Sequence, residues 1–143
     1  RDFDWRPGRP YRLAICRADS ADAPDGFRAW RATVEDRDSG DTTVMRDLYV
    51  PAERIMGVSV WSEVFARCDD PSTEIRWSNA QVVGPSGEVT YPRRALVNYQ
   101  SHADGGCANT CSSSGNHGLI QRTNTDRTVS QGTMLAWPRA DVS

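Results

Sequence analysis

The chain has 143 residues, a length that fits one domain with a core of its own. With 38% hydrophobic and 25% charged residues, its composition excludes a globally disordered protein. The net charge is −2 with the two signs interspersed, which excludes a general nucleic-acid or membrane-surface binder, and no apolar run reaches the roughly 18 residues that a membrane span needs. We therefore expect residues 1–143 to form a single domain.

The first third of the chain predicts three strands joined by turns. Pro7-Gly8 is a turn dipeptide, and the first strand follows at Tyr11 to Ala18, where apolar residues take alternate positions. A second strand places Trp30, Ala32 and Val34 on one face, so we assign Trp30 to the core. The segment 37–41 reads as a hairpin turn before a third strand from Thr42 to Val50.

The strongest alternation lies in the middle of the chain, at Met56 to Arg67, which we predict to be a strand. One side would carry Val58, Val60, Ser62 and Val64, and the other Ser59, Trp61, Glu63 and Phe65. This arrangement would put a carboxylate between two aromatic rings.

The last part of the chain predicts further short strands. They lie at Ile75 to Val83, at Val89 to Tyr99 with an edge or break at Pro92, at Leu119 to Thr123 and at Thr133 to Trp137. Residues 101–118 read as a long polar loop. Since no segment keeps a helical period, the chain is predicted to be all-β, with many short strands typical of an antiparallel β-sandwich or a barrel.

Spaced aromatic and turn residues over residues 3–83 carry a resemblance. They are Trp5-Arg6-Pro7-Gly8-Arg9-Pro10-Tyr11, Trp30-x-Ala32-x-Val34-x-Asp36, Trp61-Ser62-Glu63-Val64-Phe65 before Cys68, and Arg76-Trp77-Ser78-Asn79. This order resembles a family of secreted β-sandwich proteins of actinomycete type, of unknown function, and more broadly the concanavalin-like jelly rolls of lectins and glucanases. The resemblance implies a jelly-roll sandwich.

The position of the first of these segments departs from that pattern. In the proteins it resembles, such a segment follows several earlier strands, whereas here it opens the chain. The resemblance therefore implies the C-terminal part of a larger sandwich, or a sandwich completed by an N-terminal fragment or a partner chain. A smaller sandwich that stands alone is the alternative.

Four cysteines in a chain without Lys indicate two disulfides and an oxidising, extracellular compartment. The spacing of Cys107 and Cys111 predicts a local loop clip, which leaves Cys16 to pair with Cys68. A metal site at the clip is disfavoured, because two thiolates without a second pair make a weak site.

Five tryptophans and several tyrosines, with a carboxylate near Trp61, suggest an aromatic platform for sugar rings. Aromatic faces offer a large contact area at a low entropic cost, and the Trp N–H and Tyr O–H can donate hydrogen bonds. We predict that Trp61, Glu63, Trp77 and Tyr99 bind a polysaccharide, another glycan or another extracellular polymer without catalysis.

Two alternatives stay open. In a polysaccharide hydrolase or lyase, Glu63 would act as acid or base and Arg76 as a charge clamp, and a second carboxylate would have to lie within about 5 to 10 Å. The paired-Glu signature of glucanases is absent, and a structural ion pair between Glu63 and Arg76 is the simpler interpretation. A protein-binding module or subunit of a larger assembly is the second alternative.

Other clusters give weaker signals. Calcium is an alternative at Glu35, Asp36, Asp38 and Asp41, or at Asp69, Asp70 and Glu74, although neither set has EF-hand spacing, and we predict no metal or other cofactor. A hydrolase triad drawn from His102, Asp104, His117 and the serines 112–114 lacks a nucleophile elbow. The sequence thus favours a secreted, disulfide-bonded binding protein with no nucleic-acid or membrane partner.

Overall fold

The computed structural model describes residues 3–139, and its secondary structure is antiparallel β-sheet with a single 3-10 turn at His102–Asp104. The strands are β1 (Tyr11–Ala18), β2 (Arg28–Asp36), β3 (Thr42–Val50), β4 (Glu74–Trp77), β5 (Val82–Val83), β6 (Val89–Thr90), β7 (Arg94–Leu96), β8 (Cys111–Gly115), β9 (Gly118–Arg122) and β10 (Met134–Ala136). The all-β prediction is confirmed, and β1 and β3 have the predicted bounds. The helical structure in this part of the chain is far too short to cross a membrane.

The chain divides into two compact units, of which the first is Arg1–Val58. It is built on a three-stranded sheet in the order β1-β2-β3. The turn between β2 and β3 forms because Gly40 takes a φ of 79° and Asp36 caps the backbone N–H of Asp38 at 2.9 Å. One face of the sheet carries most of its large apolar residues. On this face Val34 of the central strand β2 is 4% exposed, whereas Leu13 and Ile15 of β1 are more than half exposed.

The second unit, Ser59–Ser143, contains the sheet β4-β9-β8 and the ribbons β10-β7 and β5-β6. Its buried apolar residues are Val97, Cys111, Leu119, Ile120 and Trp137. Ser114 of β8 donates a hydrogen bond to the carbonyl of Ala136 at 2.6 Å, which links the sheet to the β10-β7 ribbon. The core of this unit therefore sits where β8 and β9 meet the C-terminal ribbon.

Three of the predicted segments differ from the structure. The strand predicted at Met56 to Arg67 is wrong, because the segment pairs with no strand among residues 3–139. The strand predicted from Ile75 to Val83 is divided into β4 and β5, since Asn79 takes a φ of 54° and turns the backbone. The long loop predicted at residues 101–118 instead contains the 3-10 turn and β8. The break predicted at Pro92 is confirmed between β6 and β7.

The predicted disulfide pairs are also wrong. The structure joins Cys68 to Cys107 with a Cα separation of 5.5 Å, and leaves Cys16 and Cys111 as thiols. Cys111 is the first residue of β8 and points into the core, so it is turned away from a loop clip with Cys107. Cys16 lies exposed in β1. Sequence spacing could not reveal this, because it ignores the direction in which a strand points each side chain.

Candidate functional site

The exposed stripe, by which we mean Trp61, Glu63 and Phe65, is the most solvent-accessible aromatic feature among residues 3–139. Trp61 is 69% exposed and Phe65 is 92% exposed, and Glu63 between them is exposed as well. The alternate residues Val60, Ser62 and Val64 are half-buried. Residues 60–65 thus keep the two-residue alternation expected from the sequence although they join no sheet, whereas Val58, expected on the side of Val60, is 62% exposed.

Gln121 of β9 anchors this segment to the sheet of the second unit. Its Oε1 accepts hydrogen bonds from Ser62 Oγ at 2.6 Å and from Trp77 Nε1 at 2.7 Å. Its Nε2 donates to the carbonyl of Val60 at 3.4 Å. Because these contacts hold the inward-facing side of the segment, the opposite side, which carries Trp61 and Glu63, faces solvent.

Trp77 and Tyr99 are less accessible than the exposed stripe, and their polar atoms are engaged within the protein. Trp77 is half-buried, and its N–H is occupied by Gln121, so it is not available to a ligand. The hydroxyl of Tyr99 donates to the carbonyl of Val129 at 3.1 Å and accepts from the backbone N–H of Ser112 at 3.0 Å. The guanidinium of Arg127 lies 4.0 Å from the centre of the Tyr99 ring, which covers that face.

The predicted ion pair between Glu63 and Arg76 is not formed. Arg76 lies 3.6 Å from Glu74, which also accepts a 2.7 Å hydrogen bond from Arg122 across β4 and β9. Glu63 makes no ion pair with any residue in the described range 3–139. Its carboxylate is therefore open to a ligand, although it lacks the apolar enclosure by which glycosidases prepare a general acid.

The acidic clusters considered for calcium are held by arginines. Arg9 contacts Asp36 at 2.7 Å and Asp38 at 3.4 Å, and Arg67 contacts Asp70 at 3.3 Å. Within residues 3–139, no three His, Cys, Asp or Glu side chains converge as metal ligands would. The carboxylates in these clusters neutralise cationic side chains and cap turns, which is a structural role.

The residues of the suggested hydrolase triad are also spread over structural roles. His102 Nδ1 lies 3.2 Å from the carbonyl of Gly106, and Asp104 accepts a 2.6 Å hydrogen bond from Ser101 in the 3-10 turn. The serines 112–114 belong to β8. His102 and Asp104 therefore shape the 3-10 turn, and the serines form an edge strand.

Sequence reasoning missed Gln121, whose contacts join residues about sixty positions apart, and no local pattern signals such a bridge. Phe65 was detectable, since it continues the alternation that singled out Trp61. The predicted ligand set contains Trp77 and Tyr99 and not Phe65, but the structure shows the polar atoms of Trp77 and Tyr99 to be engaged inside the second unit.

Comparison of the chain with models of known protein families, with curated proteins and with solved structures finds no match.

Proposed function

We propose that this chain is a secreted, non-catalytic binding protein for carbohydrate or another extracellular polymer. The observation that carries the proposal is the exposed stripe, in which Trp61 and Phe65 present their rings to solvent on either side of Glu63. Single exposed aromatic residues are common on protein surfaces, whereas a group of them typically marks an interaction site, and here they recur on one side of an anchored segment.

The chemistry of the stripe suits a chain of sugar rings. Trp61 and Phe65 are four residues apart, so the backbone separates them by at most about 14 Å, an upper limit that leaves room for more than one sugar ring. The apolar faces of sugars stack on such side chains, and the carboxylate of Glu63 accepts hydrogen bonds from hydroxyls. An open stripe rather than a deep cavity favours a polymer over a free monosaccharide.

The compartment and the finer architecture belong to the same proposal. One disulfide, between Cys68 and Cys107, supports an extracellular location. The β1-β2-β3 sheet has one apolar face, which supports a β-sandwich of jelly-roll, concanavalin-like type, because in such a fold a second sheet covers this face.

A second candidate function, a module that binds another protein, has one observation in its favour. Leu13, Ile15 and Leu48 lie on the same face of that sheet and are 52%, 61% and 51% exposed. Exposed apolar residues grouped in this way are typical of an interaction surface. If the chain is such a module, Ile15→Asp will abolish co-elution with its partner and will leave binding to polysaccharides unchanged.

Affinity electrophoresis through gels that contain cellulose derivatives, xylan, mannan, β-glucan or chitin derivatives tests the main proposal. We expect retardation by at least one polymer, and loss of at least tenfold in affinity on Trp61→Ala or Phe65→Ala, which corresponds to about 1.4 kcal/mol. Phe27→Ala, the same truncation at an exposed aromatic of the first unit, is the matched control and should bind normally. Equal retardation of all the variants would contradict the assignment to the stripe.

A further inference from the structure

The first unit contains an open cleft between the N-terminal segment and the β2–β3 turn. Its volume is about 530 Å³, within the range of small-ligand sites. One wall is the ring of Phe3, and the polar lining includes Asp4, Arg6, Arg9, Asp36 and Asp41. We propose that this N-terminal cleft is a binding site for a short, neutral saccharide, separate from the exposed stripe.

The aromatic wall is held in place before any ligand arrives. The Phe3 ring lies 4.7 Å from the Trp5 ring and 5.5 Å from the Tyr11 ring, centre to centre. Trp5 in turn meets Tyr11 edge-on at 5.0 Å, and the Tyr11 hydroxyl accepts the backbone N–H of Arg6 at 3.0 Å. A fixed ring lowers the entropic cost of stacking a sugar on it.

The opposite wall is equally fixed. Arg9 donates to Asp36 at 2.7 Å, and the backbone N–H of Arg37 donates to the carbonyl of Pro10 at 3.1 Å, so the N-terminal segment is tied to the β2–β3 turn. The backbone N–H of Asp38 and of Ser39 and the guanidinium of Arg9 occupy the Asp36 carboxylate. Asp36 therefore supports the cleft, and it is not a group that the ligand would contact first.

The uncompensated charge in the cleft disfavours an anionic ligand. Arg9 is compensated by Asp36, and Arg6 lies 3.5 Å from Asp4, which leaves Asp41 as the uncompensated charge among the lining residues. Its Oδ2 accepts from Ser39 Oγ at 2.9 Å, and among residues 3–139 its Oδ1 has no donor. An anionic sugar would meet this carboxylate and be repelled, whereas a hydroxyl can donate to it.

Fluorine NMR of the chain labelled with 5-fluorotryptophan tests the proposal, because Trp5 supports the Phe3 wall and reports on it. The resonances are assigned with single Trp→Phe variants, and the probes are cello-, xylo-, manno- and laminari-hexaose. We expect at least one of these to shift the Trp5 resonance. Asp41→Asn should weaken that binding about tenfold, since one hydrogen bond to a charged acceptor is reduced, and Phe3→Ala should remove it, with rescue by Phe3→Tyr.

The controls separate this site from the exposed stripe. Trp61→Ala should leave the Trp5 shift and its midpoint unchanged, and Asp22→Asn, which makes the same charge change in the loop before β2, should do likewise. The proposal is overturned if none of the neutral hexaoses shifts Trp5 at roughly 10 mM, a concentration about tenfold above a Kd of 1 mM. It is also overturned if Asp41→Asn and Phe3→Ala bind normally, or if oligogalacturonate binds more tightly than the neutral probes.

Discussion

At the scale of single residues, one glutamine holds both the N–H of Trp77 and the segment that presents Trp61. Gln121 accepts the N–H of Trp77 and the hydroxyl of Ser62 on the same oxygen. This contact engages the N–H of Trp77 and fixes the segment that presents Trp61. A ligand surface is thus set as much by the residue that engages a tryptophan N–H as by the number of tryptophans.

Removal of this amide should lower both stability and binding. Gln121→Ala leaves the half-buried N–H of Trp77 and the hydroxyl of Ser62 without their acceptor, and we expect the free energy of unfolding to fall by about 2 kcal/mol. Urea denaturation followed by tryptophan fluorescence measures this. Gln81→Ala, at an exposed position, is the control and should change stability by less than about 0.5 kcal/mol. A loss as small as the control's would mean that Gln121 does not anchor the segment.

At the scale of elements, the local sequence predicts hairpins well and isolated extended segments poorly. Strands β1 and β3 have the predicted bounds because the alternation of β1 and the turn at residues 37–41 act within a few positions. The segment 56–67 shows the same alternation but pairs with no strand among the described residues. Alternation reports which side is buried, and strand pairing depends on a neighbour that the local sequence does not reveal.

Because local sequence does not show which strands face each other, it also gave the wrong disulfide pairs. Mass spectrometry can check the pair Cys68–Cys107 that the structure shows. A non-reducing digest should yield linked peptides that contain Cys68 and Cys107, which persist in Cys111→Ser and vanish in Cys107→Ser. We expect loss of the bond to lower stability by about 4 kcal/mol, since a loop of 39 residues gains freedom in the unfolded chain. A link that depends on Cys111 would instead restore the loop clip predicted from spacing.

At the scale of the whole molecule, paired carboxylates should make the fold sensitive to acid. Two hydrogen bonds from Arg31, each 2.8 Å, hold the pKa of Asp47 below its ordinary value. The backbone N–H of Asp38, the strongest such contact, donates to the Asp36 carboxylate and lowers the pKa of Asp36 in the same way. Because the unfolded chain binds these protons more readily, their contribution to stability is complete above the ordinary carboxyl pKa and is lost as the pH falls through the lower folded value.

The melting temperature, Tm, measured over a series of pH values, tests whether the fold loses stability in acid. We expect Tm to stay nearly constant from about pH 7 to pH 5 and to fall below about pH 4, where ordinary aspartates take up protons. Asp47→Asn should lower Tm near neutral pH and reduce the size of the acid-induced fall. Asp25→Asn, in the loop before β2, should follow the wild-type curve. A Tm that rises on acidification would reverse the predicted sign.

A protease footprint of the exposed stripe tests most directly whether the protein binds a polysaccharide there. Chymotrypsin should cut after Trp61 and Phe65, and a polysaccharide that retains the chain should slow both cuts in proportion to the bound fraction while cleavage after Phe27 continues at its free rate. Retention of the chain with unchanged cleavage at Trp61 and Phe65, or retention by no polysaccharide at all, would contradict the account.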